Sequence, residues 1–418
     1  MMFKLLSAKR FAFLSRFAKN NMLRPISVFG LIAGSLFSVQ AQATWNQVTG
    51  LASSPAAVAM DPNNVGTAYA VLSSNNITTL YRISSLNFGT ASAQALTINN
   101  MNLSTFNAFA VKPKLNPNEN DVILIAGEGP DLQSGVQSAP KVFMLTGLAG
   151  SNSYNATDIS SGLLGQVGQI GNIGSLKQLL MTKTGNAYLV HSYGIHRASN
   201  ITPASTYQTT VWTSVSTSQV YSLSVIETST ANTLISVIKS SAYGLPGVYA
   251  ASESASSFID FRQATGLLAD DTNFIISTAV NSSTVSPGVY VSVNGRGLYN
   301  CSLSSVVGST PTLNCTQAGV VAQSNELTVM AVNSSGTLFG ANSQENKLKS
   351  TTTNASFWTD HELTLPTGYI KTDFFFVTGS AVVMTTESGL YSSLTNALPG
   401  TGTSGTTNGT DVEVQSVT

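Results

Sequence analysis

Residues Ser286 to Cys315 read SPGVYVSVNGRGLYNCSLSSVVGSTPTLNC, and their pattern decides the fold. An alternating stretch runs into a tight Asn294-Gly295 turn, a hairpin signal. A second alternating stretch follows, and a third comes after a Gly/Ser/Pro loop. Working outward, the same plan recurs six more times. The first round offers strands at Ala56–Pro62, Thr67–Leu72 and Thr79–Ile83, and the second at Asn107–Pro113, Asp121–Ala126 and Lys141–Thr146. The third has Leu176–Lys183, Ala187–His191, Gly194–Ala198 and Val211–Thr213. The fourth has Val220–Ile226, Thr233–Lys239, Gly247–Ala251 and Phe258–Arg262. Asn273–Val280 precedes the reference stretch in the fifth. The sixth gives Glu326–Val332, Thr337–Ala341, Lys347–Ser350 and Phe357–Thr359; the seventh gives Asp373–Thr378, Ala381–Thr386 and Gly389–Ser393, and then no outer strand.

Seven rounds of four short antiparallel strands, about fifty residues apiece, predict an all-β fold, a seven-bladed β-propeller. Trp45–Val48 begins the series with no sheet of its own, so the last blade is expected to be closed by this N-terminal strand, which removes two exposed edges at once. Trp212 and Trp358 begin outer strands in other rounds, and Trp45 fits the same place. A helical reading fails because the apolar residues alternate and turn residues interrupt every run. A two-sheet sandwich with added strands is the competing arrangement.

The ends of the chain carry other signals. Of the nineteen basic residues, Lys4, Lys9, Arg10, Arg16, Lys19 and Arg24 precede residue 25, and no acid lies among them. An apolar run, Ile26–Val39, leads to Ala41-Gln42-Ala43, so residues 1–43 are expected to be a secretory signal peptide, with Met22 an alternative start to Met1. The run is short for a membrane span, and no integral membrane segment is expected after cleavage. The propeller is expected over 44–396, and 397–418 form a Gly/Thr/Ser-rich tail too poor in apolar side chains to fold alone. Past residue 43, nineteen acidic residues face thirteen basic ones, a net charge of −6; nucleic acid is excluded as a partner for want of a basic surface. Charged residues are 9% of the chain against about a quarter usually, a polar but uncharged surface that suits an exported protein, whether periplasmic, cell-surface or extracellular. Cys301 and Cys315 fall on neighbouring strands of one hairpin and are expected to form a disulfide.

Ser85-Leu86-Asn87-Phe88-Gly89-Thr90 follows a predicted third strand, Leu80-Tyr81-Arg82, and Ile195-His196-Arg197 ends a matching one. These stretches resemble the bacterial-neuraminidase-repeat, or Asp-box, propellers, which include sialidases, sortilin-type ectodomains and photosystem assembly factors. That family marks the turn into the outer strand with Ser-x-Asp-x-Gly-x-Thr-Trp. Ser85, Gly89 and an Asn for the Asp are kept; the closing Thr-Trp is not, and Thr351–Trp358 keeps only the tryptophan. The resemblance spans most of 44–396 and implies the fold, with the Asp box itself a structural turn.

A sialidase site would need three arginines converging on a carboxylate. Past residue 43 there are four, Arg82, Arg197, Arg262 and Arg296: two at matching repeat positions, one in an outer strand and one in a hairpin turn. His191 and His196 flank a turn and can approach each other, but they lack further ligands nearby; alternation sends His361 away from Asp360 and Glu362. The loops Asp61-Pro62-Asn63-Asn64 and Asn116–Asp121 could wrap calcium, although Pro/Asn chemistry at equivalent places reads first as plain turns. No catalytic residue and no cofactor is assigned. The expectation is an exported, non-enzymatic binding or assembly propeller that recognises a protein or glycan partner through loops, with Gly127–Pro140 and Gly162–Gly174 foremost and Tyr243, Tyr249 and Tyr290 as candidate carbohydrate or protein contacts. The alternatives are a divergent sialidase-like glycoside hydrolase using Asp260, Asp270 or Asp271, and a structural cell-envelope component.

Overall fold

The structure is a computed structural model. It describes residues 45–394 apart from 75–76, 115–118, 131–137, 149, 164–174, 217–219, 229–230, 239–245, 256–259, 268–274, 283–285, 305–309, 319–326, 334, 343–346, 352–358, 363–369 and 379. The signal-peptide expectation at 1–43 and the tail at 397–418 lie outside the described residues.

Alternating β-branched and aromatic residues, interrupted every few positions by Gly, Asn or Ser, can only pair locally, and the chain forms seven antiparallel sheets in succession. From inner to outer strand, blade I is Ala57–Met60, Ala68–Ser74, Ile77–Ser84 and Ser92–Ala95. Blade II is Thr105–Val111, Asp121–Gly129, Ala139–Gly147 and Ser153–Asp158, and blade III is Leu176–Met181, Ala187–His191, Gly194–Ala198 and Thr213–Ser216. Blade IV is Ser222–Glu227, Asn232–Ile238, Gly247–Ser252 and Arg262–Gln263; blade V is Ile275–Asn281, Gly288–Val293, Gly297–Ser304 and Thr312–Gln317. Blade VI is Val329–Val332, Leu338–Asn342, Lys347–Thr351 and Thr359–Glu362, and blade VII is Ile370–Thr378, Ala381–Thr386 and Gly389–Leu394. Each inner strand touches the inner strand of the next blade, and blade VII returns to blade I. The fold is a seven-bladed β-propeller. Because strands reverse direction in turn, the inner–second and third–outer turns share one end of the ring, here the near end. The second–third turns and the blade-to-blade connections share the far end.

The ring closes as expected. Asn46–Gln47 pairs antiparallel with the third strand of blade VII, Asn46 opposite Ser392 and Gln47 opposite Tyr391, and Val48 N–H donates to the Leu390 carbonyl. Trp45 and Trp212 each sit one residue ahead of an outer strand and are buried against the preceding blade; Trp212 Nε1–H donates to the Ile159 carbonyl at 2.8 Å. Boundaries differ modestly from expectation: the outer strand of blade III starts after Trp212, and that of blade IV is Arg262–Gln263 rather than Phe258–Arg262.

The apolar cores lie between neighbouring sheets. One cluster joins blades I and II through Tyr69, Phe109 and Tyr154, another blades III and IV through Tyr188, Val225 and Tyr249. Tyr69 and Tyr188 hold the second place of their second strands and Tyr290 the third, and each is packed against the following blade. Fully burying such a side chain contributes roughly 1.5–3 kcal/mol. Tyr249 and Tyr290 are therefore not presented to a partner, a correction to the sequence reading: both sheet faces are covered here, and alternation alone does not reveal it. Tyr243 lies outside the described residues.

Outer strands are also stitched sideways. Thr97–Asn99, arriving from blade I, adds a fifth strand parallel to Ser153–Asn155 of blade II. Thr49 and Thr265 make single parallel bridges to Ser92 and Asn314. In each of the latter a glycine follows, Gly50 at φ +87° and Gly266 at φ +85°, its Cα pressed on the next outer strand.

Cys301 and Cys315 face each other directly in register, Cα atoms 3.8 Å apart, in a disulfide whose sulfurs are buried. It ties the outer strand of blade V to the third. Replacing both with alanine is expected to cost about 3 kcal/mol for a loop of this length; an unchanged denaturant midpoint would show that the bridge contributes nothing.

Candidate functional site

At the near end, the two acidic loops named from the sequence come together across the blade I/II boundary. Asp61 Oδ1 accepts the Asn63 N–H at 2.9 Å, an Asx turn. Asn63 then reaches across: its Nδ2 donates to the Lys112 carbonyl at 3.0 Å, and its Oδ1 accepts the Lys114 N–H at 2.5 Å. Lys114 Nζ lies 2.7 Å from Asp121 Oδ1, and Lys112 Nζ 3.6 Å from Glu119 Oε2. Behind them Tyr154 OH donates to Asp121 Oδ2 at 3.2 Å, beside the Tyr69 hydroxyl. Burial raises the Asp61 carboxyl to about 6, with Asp121 adding to the effect and the Asn63 N–H and Lys114 opposing it. Burial likewise pushes the Tyr154 phenol up to about 12. The carboxylate of Asp121 is thus answered by an internal ammonium.

The blade III/IV boundary repeats this arrangement. Glu253 accepts hydrogen bonds from Thr182, Thr184 and Asn186 on Oε1 and from Asn232 on Oε2. Burial alone would raise its carboxyl, but these four donors hold it below the usual range. Lys183 N–H donates to Glu227 Oε1 at 2.9 Å, and its ammonium to the Thr228 carbonyl at 3.1 Å.

Two of the four arginines serve the same seams. Arg82 pairs in register with Tyr69, and Arg197 with Tyr188. Arg82 donates to the Ser151 carbonyl and to Asn152 Oδ1 at 3.2 and 2.8 Å. Arg197 donates to the carbonyls of Glu253 and Ala255 at 3.3 and 2.8 Å. Matching places in their repeats, which the sequence showed, are thus matching inter-blade contacts. Arg262 lies in the outer strand of blade IV and Arg296 in the Asn294–Arg296 turn of blade V, so the four belong to four different blades. Asp260 is described, just before that outer strand; Asp270 and Asp271 lie outside the described residues. So do residues 116–118 of the second acidic loop and the side chain of His361.

At the far end, the second and third strands of blade II run on to Gly129 opposite Ala139, which places Gly127–Pro140 as the tip of an extended hairpin; residues 131–137 of it are outside the described set. Ser138 donates to Glu128 Oε2 at 2.6 Å at its base. Of Gly162–Gly174 only Gly162 and Leu163 are described, and Gly162 lies against the Trp212 backbone ahead of the outer strand of blade III. On blade III the hairpin His191-Ser192-Tyr193-Gly194 exposes the Tyr193 side chain and brings His191 Nε2 to 2.9 Å from His196 Nδ1.

Ser85–Gly89 does form the turn between third and outer strands of blade I, with Ser85 and Gly89 in the left-handed region around a single 3₁₀ turn. Asn87 Oδ1, within that turn, is buried and accepts no hydrogen bond among the described residues. The sequence reading missed a second marker of the seams, a Ser/Thr-Gly-Leu triplet after an outer strand: Thr49-Gly50-Leu51, Ser161-Gly162-Leu163 and Thr265-Gly266-Leu267. Its recurrence was visible in the letters.

No family model and no curated protein sequence matches the chain. Among solved structures it is similar to YCF48 bound to D1 peptide, with a TM-score of 0.52 and 11% identity over 84% of this chain and 94% of that one. It is also similar to a catalytically inactive virginiamycin B lyase from Staphylococcus aureus with Quinupristin, at TM-score 0.51 and 9% identity over 84% and 98%. YCF48 from Cyanidioschyzon merolae gives 0.50 and 11% over 84% and 98%. Identities this low establish the shared propeller fold.

Proposed function

We propose that the chain is an exported binding or assembly propeller that meets a protein or glycan partner with its far end, at blades II and III. The observation that carries this reading is the division between the ends. At the near end of blades I–IV the polar and charged side chains hold neighbouring blades together, as Asn63, Arg82, Glu253 and Arg197 do. The far end carries the base of the extended blade II hairpin and the exposed Tyr193. Loops on a rigid ring are where binding residues concentrate. The YCF48 structure, a propeller of similar fold, is bound to a peptide. Export is supported by the disulfide, and no helix among the described residues is long and apolar enough to cross a membrane. An Asp-box ancestry is supported by the place and shape of the Ser85–Gly89 turn.

The test is binding to peptide and glycan arrays at micromolar concentration, comparing the parent with a chain whose residues 131–137 are replaced by a short Asn-Gly turn. At least a tenfold loss at unchanged melting temperature is expected, with Tyr193→Ala weakening binding in the same sense. Retained binding in the hairpin variant, or loss on the near-end substitution Phe88→Asp, would put the contact elsewhere. Hydrolysis of aryl glycosides by the parent would instead favour the glycosidase alternative, and ordered self-assembly the envelope one.

A further inference from the structure

We infer that the blade III hairpin tip is a proton-operated latch in which His191 and His196, both neutral, hold the Tyr193 turn closed. The Tyr193 N–H points at His191 Nδ1 from 3.2 Å, so that nitrogen carries the lone pair. A neutral imidazole then has its hydrogen on Nε2, which faces His196 Nδ1 at 2.9 Å and donates to it. His196 in turn keeps its hydrogen on Nε2. The rings are stacked at a tilt, centroids 4.9 Å apart.

This chain of donors leaves no comfortable place for another proton. On His191 it would face the Tyr193 N–H, and on His196 it would face the His191 N–H. Proton uptake therefore requires a ring to turn and one of the two hydrogen bonds to break, which frees the Ser192–Tyr193 turn. His191 is buried and opposite Leu176 of the inner strand; the exposed Lys177 follows at the bulge there, and Leu189 lies opposite His196 on the second strand. Burial is what holds His196 below the ordinary 6.5, with no carboxylate countering it. His196 therefore takes up its proton on the acid side of its ordinary range.

The test is long-range proton–nitrogen NMR of the labelled full chain from about pH 8 to about pH 5, with the third histidine, His361, as internal reference. At neutral pH His191 is expected to bear its hydrogen on Nε2. His196 should titrate below 6.5, and the Tyr193 amide should shift with the same midpoint. In His196→Gln the amide should lose that midpoint. A hydrogen on His191 Nδ1 at neutral pH, or a Tyr193 amide that stays put while the histidines titrate, overturns the latch. Both readouts come from the parent protein, so they decide the matter even if the variant does not fold.

Discussion

Gly266→Ala is expected to destabilise the propeller by roughly 2–4 kcal/mol, because strain and overpacking act on the same residue. The backbone there is at φ +85°, where an L side chain is disfavoured, and a Cβ would sit 2.0 Å from the Cys315 carbonyl oxygen. Cys315 cannot yield easily: it is bonded to Cys301, and its N–H donates to the Thr265 carbonyl at 2.8 Å. The outer strand of blade V would have to leave the seam for the methyl group to fit. Gly295→Ala is the control, since Gly295 has φ +69° and nothing within 4 Å of a built Cβ; it should show the strain cost alone, about 1 kcal/mol. Gly50→Ala should fall between them, with Ala93 O at 2.4 Å. Denaturant midpoints of the three variants check the order. Equal losses at Gly266 and Gly295 would mean the seam is not tightly packed.

Asp61→Asn is expected to stabilise the protein above neutrality and to flatten its pH dependence. The folded-state carboxyl is raised from 3.8 to about 6, chiefly by burial. For an acid shifted upward, the stabilisation is fully present below the unfolded value and is lost as pH rises through the folded one. Between about pH 4 and pH 7 the parent should therefore lose on the order of 3 kcal/mol at this site. Asparagine keeps an oxygen for the Asn63 N–H and carries no charge, so the variant should pull ahead of the parent as pH rises. Comparing variant with parent cancels the opposite shifts of Glu227 and Glu253. Parallel stability curves from acid to neutral pH would show that Asp61 does not titrate near 6.

The parts of the fold that were legible in the sequence are those fixed by neighbours in the chain. Asn294-Gly295 forces a hairpin, and once Tyr299 and Cys301 alternate across it, Cys315 has one place to go. The ring closure was legible because blade VII lacked a strand and Trp45–Val48 lacked a sheet. The outer strand of blade I, Ser92–Ala95, was not: SAQA is short, largely exposed and poor in strand-forming residues. The strand Thr97–Asn99 was missed because its parallel partner is the outer strand of another blade.

The near-end seams were half legible. Repeat position showed Arg82 and Arg197 to be equivalent, but not that each reaches the following blade, since alternation says which residues share a face and not what lies opposite. The meeting of Asn63 with Lys112 and Lys114 depends on the angle between blades, which no local pattern encodes. At the far end the blade II hairpin could be named from the sequence, whereas the placement of its base at one end with His191 and Tyr193 required the strand directions.

The strand at Asn46–Gln47 sets an order of events. Its partners, Tyr391 and Ser392, are about 345 residues away along the chain, and bringing such distant segments together from an open coil would cost about 5 kcal/mol in closure entropy. Six blades assembled side by side bring the ends near each other and remove most of that cost, so this two-residue strand docks last. Until it does, the third strand of blade VII has a bare edge. A second copy arriving in that interval could supply the missing strand instead, so the interval before closure is when exchange between molecules competes with completing a single ring.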